Sequence, residues 1–190
     1  MQPFEYIVVL ASLILGLGIA QILTGVADIV SNLRNVKLSL PHGLLVVVVF
    51  LIHIQEWWFN YQYSIDVKEW TLAVVLAVIV FPILLFLQAR MLFPTGLRSH
   101  EADLNEYYFD QWPLLFVVGM STVLVSIMQN IFLSGIGIGD QLHLVAYALI
   151  YLFFVMFRVK NPVAHIVFLA LQIMAFVIYI VTDDAVLKTG

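Results

Sequence analysis

Cysteine is absent from this chain of 190 residues, and charged side chains are scarce. Without cysteine the chain has no disulfide, no thiolate metal site and no cysteine nucleophile. Only 11% of the residues are charged, the formal net charge is -4, and no block of Lys or Arg occurs, which argues against nucleic-acid binding. The sequence also lacks Gly-x-Ser-x-Gly and His-Glu-x-x-His motifs, so we expect that the protein is not an enzyme.

Apolar residues are abundant instead: 63% of the chain is hydrophobic, and the mean hydropathy is +1.05. A bilayer span takes about 20 mostly apolar residues, and runs of that length consume most of the chain. The sequence therefore predicts an all-α, polytopic membrane protein with one domain over residues 1–190. Its six transmembrane helices are predicted near residues 4–30, 42–63, 70–92, 113–133, 140–159 and 162–182.

Four prolines mark positions along these predicted helices. Pro162 follows Asn161, an arrangement typical of a helix start with an Asn cap. Pro41 and Pro113 are predicted to lie near the starts of spans two and four in the same way. Pro82 falls inside the third span, where it removes a backbone hydrogen bond and predicts a kink.

The basic residues are distributed unevenly over the connections between spans. Lys and Arg gather in bacterial loops that stay in the cytoplasm. The odd-numbered connections hold six of them, and the other side holds Lys68 and Lys188. We therefore predict a multi-pass protein of the bacterial inner (cytoplasmic) membrane with both termini outside. The six residues that carry this prediction are Arg34, Lys37, Arg90, Arg98, Arg158 and Lys160.

The long connection before span four predicts a further helix near residues 100–111. Ser99 can cap it, and Glu101 and Asp103 in its first turn suit the helix dipole. Leucine and aromatic residues then recur at helical spacing, which is typical of an amphipathic helix on the membrane surface that feeds span four. We interpret its aromatic residues as interface anchors: Tyr107, Tyr108 and Trp112.

Small residues recur along span one. Small side chains let two helices approach closely inside a membrane. We interpret one row, spaced four apart, as packing inside the bundle: Ser12, Gly16, Ala20 and Thr24. The alternative is that this face binds a second copy of the chain or a membrane partner. Ala11, Gly18 and Gly25 form another small-residue row, spaced seven apart.

Glu56 is an ionisable residue inside the second predicted span. If that span runs to about residue 62, Glu56 lies roughly 9 Å below the outer boundary, because a helix rises 1.5 Å per residue. His53, Glu56, Asn60 and Tyr63 recur at spacings of three and four, which places them on one helical face. Trp57, Trp58 and Tyr61 leave an alternative open, in which this segment is the interface and Glu56 lies among headgroups.

Polar side chains also occur at comparable depth in the other spans, and we expect their faces to converge on a polar cavity in the outer half of the bundle. Gln129 and Asn130 end span four, and Asp140, His143 and Tyr147 open span five. Span six carries His165, Gln172 and Tyr179, spaced seven apart.

These residues suggest three functions. The first is translocation of a proton, cation or small polar solute along Glu56, His53, Asn60, Gln129, Asn130, His143, Tyr147 and Gln172. The second is an accessory or scaffold subunit of a membrane complex. The third is a metal- or haem-binding redox or sensor protein. Its metal would be held by residues from His53, Glu56, His143 and Asp140, but no cofactor is predicted. We expect His42 and His100 to lie in water.

Short motifs also carry a resemblance. They are Pro-Phe-Glu-Tyr-Ile-Val-Val-Leu at 3–10, Leu-Gly-Leu-Gly at 15–18, Trp57-Trp58 and Tyr107-Tyr108. Together they resemble a group of bacterial six-span integral membrane proteins with no assigned function, over residues 1–110. The resemblance implies a bacterial membrane origin. It implies no activity, ligand or catalytic residue.

Overall fold

A computed structural model describes residues 3–60, 63–97 and 101–182 of the chain. The helices of this part are α1 (Pro3–Ser31), α2 (Leu40–Phe59), α3 (Tyr63–Asp66), α4 (Leu72–Met91), α5 (Leu104–Phe132), α6 (Leu142–Met156) and α7 (Pro162–Thr182). A 3-10 helix (Ile138–Gln141) leads into α6, and β1 (Val36–Lys37) pairs in parallel with β2 (Ala102–Asp103). Residues outside the described part include Tyr61, Arg98, Ser99, His100 and Lys188.

Six helical segments are long and apolar enough to cross a membrane, and they match the six predicted spans in order. The prediction of an all-α fold is therefore confirmed. The second span was predicted to run to residue 63, but α2 ends at Phe59 and the short helix α3 follows. The proline starts are confirmed for α2 and α7. In α7 the Asn161 Oδ1 accepts a hydrogen bond of 2.9 Å from the Val163 N–H.

The separate surface helix predicted near residues 100–111 is wrong. α5 runs without a break from Leu104 to Phe132, so Pro113 lies inside it and does not start it. Its cap is Asp103, whose Oδ1 accepts from the N–H groups of Asn105 and Glu106 at 3.0 and 3.1 Å. Tyr108 and Trp112 are buried. They are therefore core residues, because their side chains turn into the bundle.

The Asp103 cap leads to a pH-dependent prediction. Its hydrogen bond from the Glu106 N–H holds the pKa of the carboxyl below its usual value, and Lys37 lowers this pKa further. Ionised Asp103 therefore stabilises the fold above the pKa of the unfolded chain, near 4, and this contribution is lost as the pH falls from there through the lower pKa of the folded carboxyl. We expect Asp103→Asn to lower the Tm at pH 6, and the difference from wild type to shrink as the pH falls through that lower pKa. A difference in Tm that does not shrink on acidification would contradict this assignment.

The helices pack with α2 at the centre, in contact with α1, α4, α5 and α7. Around it, α1 packs along α4, α4 along α5, and α5 along α6, whereas α7 packs mainly along α2. The α1–α2, α4–α5 and α6–α7 connections meet at one end, which we call the basic end because it holds Arg34, Lys37, Arg90, Arg158 and Lys160. There the Lys37 Nζ lies 3.3 Å from the Asp103 Oδ2, beside the β1–β2 pair.

The two small-residue rows of α1 point in different directions. Ala11, Gly18 and Gly25 face inward and are buried, and a Cβ at Gly18 would overlap the His53 ring. In the other row, Ser12 is half-buried and the remaining three are exposed: Gly16, Ala20 and Thr24. The prediction that this second row packs inside the bundle is therefore wrong. The alternative, a face for a second copy or a membrane partner, stays a prediction.

His165, near the start of α7, lies at the centre of the largest aromatic cluster at the basic end. Its side chain is 0% exposed. The Nε2 donates to the Val159 carbonyl at 2.7 Å, and because a carbonyl only accepts, the Nδ1 of the neutral ring accepts from the Tyr108 hydroxyl at 2.7 Å. Five ring centroids lie 4.9–5.4 Å from the imidazole: Tyr108, Phe109, Trp112, Phe116 and Phe154.

His42 was expected to lie in water, and this expectation is wrong. It is buried in the first turn of α2, where its Nε2 donates to the Leu92 carbonyl at 2.8 Å. Its ring also meets those of Phe93 and Tyr107 edge-on. His42 therefore ties α2 to the end of α4, which helps to hold the basic end together.

Candidate functional site

A cavity of about 680 Å³ separates the α2–α7 pair from the α5–α6 pair. The last turns of α2, the middle of α5 and the facing sides of α6 and α7 form most of its wall. Five of the eight residues predicted for a solute pathway line it: Glu56, Asn130, His143, Tyr147 and Gln172. The structure therefore brings polar residues from four helices to one space.

Glu56 is the buried carboxylate of this cavity. The residue is 6% exposed, and its Oε1 has no hydrogen-bond partner among the described residues. It lies in the last turn of α2, where Asn60 caps the helix by donating to the Glu56 main-chain carbonyl from its N–H at 2.9 Å and its Nδ2 at 3.0 Å. Asn60 is thus a capping residue outside the cavity lining, and Glu56 presents an acceptor to the cavity.

His53 faces α1 and does not line the cavity. Its Nδ1 donates to the Val49 carbonyl at 2.7 Å, and its Nε2 points at Gly18 of α1. Positions three apart on an α-helix differ by about 60° in direction, so His53 and Glu56 can face different neighbours of a central helix. The predicted His53–Glu56 pair therefore does not form a single site.

Gln129 of α5 contacts α4 at the carbonyls one turn before Pro82. Pro82 has no N–H, so the Val78 carbonyl loses its usual helical partner. The Gln129 Nε2 donates to the Ala77 carbonyl at 2.8 Å and lies 3.5 Å from the Val78 carbonyl oxygen. Its Oε1 accepts from the Tyr63 hydroxyl at 3.3 Å. Gln129 compensates for the proline and does not line the cavity.

Asn130 lines the cavity and also fixes the glycine-rich connection between α5 and α6. Its Nδ2 donates to the Gln141 Oε1 at 2.9 Å, and the Gln141 Nε2 donates to the Ile136 carbonyl at 3.1 Å. The Asn130 carbonyl accepts from the Ile136 N–H at 2.9 Å. This network sets one rim of the cavity.

Sequence reasoning missed Gln88, which reaches the cavity from α4 near the basic end. It is 2% exposed. Its Nε2 donates to the Leu115 carbonyl at 3.3 Å, and its Oε1 has no partner in the described part of the chain. Gly119 makes room for it, because a Cβ there would lie 3.2 Å from the Gln88 Nε2. The available signal was its position as the one polar residue in α4 before Arg90.

Two residues of α3 line the cavity at the end opposite the basic end. Tyr63 was predicted on the polar face of Glu56 but not in the solute pathway, and Asp66 was missed. Burial raises the pKa of the Tyr63 hydroxyl, and the Glu56 and Asp66 carboxylates raise this pKa further. Two carboxylates therefore lie close to Tyr63 and make this end of the cavity electrostatically negative. Toward the basic end, Tyr151 pairs with Gln172, whose Nε2 donates to the tyrosine hydroxyl at 3.1 Å.

The metal and haem hypotheses find no support in this arrangement. No three His, Asp or Glu side chains lie close enough to hold a metal ion within residues 3–60, 63–97 and 101–182. The proposed grouping of His53, Glu56, His143 and Asp140 is therefore wrong. As for haem, His165 has both ring nitrogens engaged, by the Tyr108 hydroxyl and the Val159 carbonyl, so it offers none to iron.

No protein-family model, curated protein or solved structure matches this chain. The resemblance to bacterial six-span proteins therefore stays an expectation from short motifs. Any functional conclusion comes from the chemistry of the cavity.

Proposed function

We propose that this protein is a multi-pass protein of the bacterial inner membrane that translocates a proton, cation or small polar solute through the cavity. The single observation that carries the proposal is the Glu56 carboxylate, 6% exposed and with an unpartnered Oε1 among the described residues. An ionisable group at membrane depth costs roughly 2.5–3.5 kcal/mol on insertion scales. A fold that carries this cost without a local partner for the group has a use for it.

The proposed orientation follows from the basic residues. The basic end faces the cytoplasm and both termini lie outside, because Lys and Arg concentrate in cytoplasmic loops. The cavity then opens toward the outer side, where His143 is exposed and Asp66 lines the mouth. Glu56 lies just inside that mouth, three residues before the end of α2. A solute entering from outside therefore meets this carboxylate before it reaches the Tyr151–Gln172 pair.

The proposal is tested by flux into liposomes that contain the purified protein. We expect proton or methylammonium uptake above that of protein-free liposomes, measured with an internal pH-sensitive dye and a radiolabelled solute. Glu56→Gln keeps the side-chain shape but removes the charge, so we expect its flux to fall to the protein-free level. The matched control is Glu69→Gln, because Glu69 is an exposed carboxylate at the same end of the bundle and outside the cavity.

The control is expected to keep wild-type flux. Thermal unfolding followed by tryptophan fluorescence establishes that both variants are folded. Equal flux in wild type and a folded Glu56→Gln variant removes Glu56 from the mechanism, and the absence of flux in wild type for each solute contradicts the proposal as a whole.

A further inference from the structure

We infer that the cavity binds an elongated organic ammonium ion, with its nitrogen at Glu56 and its apolar body along the walls. The inference names the substrate class of the proposed translocation function. It rests on that function only for transport, because binding is measured separately. It is drawn from the charge, the wall chemistry and the length of the cavity.

The acidic lining of the cavity favours a cation, and its unpartnered acceptor atoms favour one that donates hydrogen bonds. Glu56 and Asp66 line it, and no Lys or Arg is found among the described lining residues. Two acceptor atoms there, the Glu56 Oε1 and the Gln88 Oε1, have no partner in the described part, although both side chains are more than nine-tenths buried. A buried acceptor without a donor costs about 1–3 kcal/mol, so a ligand with N–H groups gains most at these positions.

The apolar lining of the cavity favours a ligand with an organic, apolar part. Aliphatic and aromatic side chains from several helices face the cavity: Leu51, Ile52, Phe59, Phe81, Ile173 and Phe176. A bare divalent cation needs six or more oxygen ligands around one point, usually with several carboxylates, and no three His, Asp or Glu side chains of the described residues come together in this way. An ammonium ion gains from aromatic faces by cation–π attraction, and Tyr63, Tyr147 and Tyr179 offer such faces.

The length of the cavity excludes a compact ligand as the best fit. The His42 Nε2 lies 2.8 Å from the Leu92 carbonyl oxygen, so these two positions are level in the bundle. Glu56 lies fourteen residues from this level along α2, and Gln88 lies four residues from it along α4. At 1.5 Å per residue the two acceptors are about 15 Å apart along the helix axes. A molecule that fills this space is therefore long and narrow, and a donor at its far end would bind the Gln88 Oε1.

The packing of the helices leaves a gap between α6 and α7 through which an apolar molecule could enter the cavity. α6 packs along α5 and α7 along α2, but α6 and α7 do not pack along each other. They meet near the basic end, where the rings of Phe154 and Phe168 lie 5.3 Å apart. Toward the opposite end both helices face the cavity, with Tyr147 on one side and Tyr179 on the other. The walls of this gap suit a ligand that partitions into the bilayer.

A primary ammonium ion has two sources in a membrane, a free amine and a phosphatidylethanolamine headgroup. A headgroup would bring its phosphate next to Glu56 and Asp66, where the described lining offers neither Lys nor Arg to neutralise it. Like charges at short distance are unfavourable, so the cavity favours the free amine.

The test is calorimetric titration of the detergent-solubilised protein with octylammonium. We expect saturable binding that is about 10- to 100-fold weaker in Glu56→Gln, the range for loss of a hydrogen bond to a charged group, and unchanged in Glu69→Gln. Octanoate and octanol share the chain but lack the cation. Octyltrimethylammonium keeps the cation but lacks N–H donors. We expect the first two not to bind and the third to bind more weakly than octylammonium.

Equal affinity for octylammonium in Glu56→Gln and wild type, or equal affinity of wild type for octanoate, overturns the inference. A second arm repeats the titration in nanodiscs of phosphatidylcholine with and without phosphatidylethanolamine. Unchanged affinity supports the free amine, whereas competition by phosphatidylethanolamine assigns the cavity to the lipid headgroup instead. If the protein binds the amine but shows no flux, the ligand inference is supported and the transport proposal is contradicted. If it shows proton flux but does not bind the amine, the transport proposal is supported and the ligand inference is contradicted.

Discussion

His165→Ala is expected to lower the free energy of unfolding by about 3–5 kcal/mol, the range for removing a large buried ring. The substitution deletes the imidazole at the centre of the aromatic cluster and leaves the Tyr108 hydroxyl and the Val159 carbonyl without their partner. For a chain of this size that loss lowers the Tm by roughly 6–20 °C. Tryptophan fluorescence reports it directly, because the Trp112 ring centroid lies 5.0 Å from that of His165.

Two further variants serve as comparisons: one removes a hydrogen bond of the His165 ring but keeps the ring, and the other removes an exposed histidine. Tyr108→Phe keeps the packing and removes only the donor to the Nδ1, so we expect a smaller loss of about 1–3 kcal/mol. His143→Ala removes an exposed histidine of the cavity mouth and is expected to stay within about 0.5 kcal/mol of wild type. If His165→Ala unfolds at the same temperature as His143→Ala, the cluster does not stabilise the fold as described.

Gly18→Ala is expected to lower the free energy of unfolding by about 1–3 kcal/mol, through overpacking of the α1–α2 contact. The new Cβ would overlap the His53 Nε2 and lie 2.8 Å from its Cδ2. The ring cannot swing away at low cost, because it is 0% exposed and its Nδ1 is bonded to the Val49 carbonyl. The Tm is therefore expected to fall by roughly 2–12 °C.

Gly16→Ala is the matched control, since nothing lies within 4 Å of a Cβ at that exposed position on the same helix. It is expected to match or slightly exceed the wild-type Tm, because alanine has the higher helix propensity. Adding His53→Ala to Gly18→Ala relieves the overlap. The double variant should therefore be less destabilised than the sum of the two single variants. Strict additivity would show that these two positions are not in contact.

The number of helices was predictable because each apolar run is long enough to span a bilayer, and Pro41 and Pro162 marked two helix starts. The beginning of α5 was not predictable from hydropathy. Residues 104–112 are more polar than a membrane span, so hydropathy separated them from the apolar part of the same helix. Tyr108 and Trp112 were taken for surface anchors because their burial depends on His165, a contact with a distant part of the chain.

The candidate site was partly predictable. Glu56, His143 and Gln172 could be found because each is a polar residue on an otherwise apolar helix. The side of α2 that His53 faces depends on where α1 packs, and helical spacing does not give that. Gln129 was predicted as part of the pathway, but its amide donates instead to the Ala77 and Val78 carbonyls one turn before Pro82 in α4. Gln88 was missed because depth alone placed it near the basic end, far from Glu56.

The unbroken α5 affects the shape of the protein in its proposed membrane setting. Its 29 residues make a rod about 43 Å long, whereas the hydrocarbon layer is about 30 Å thick. In an upright helix some two turns project beyond the lipid tails, and the polar residues 104–112 place this projection at the basic end. Exposed Glu106 and Asp110 lie in these turns, which follow Asp103, the partner of Lys37. The basic end therefore carries charges of both signs beyond the apolar part of α5.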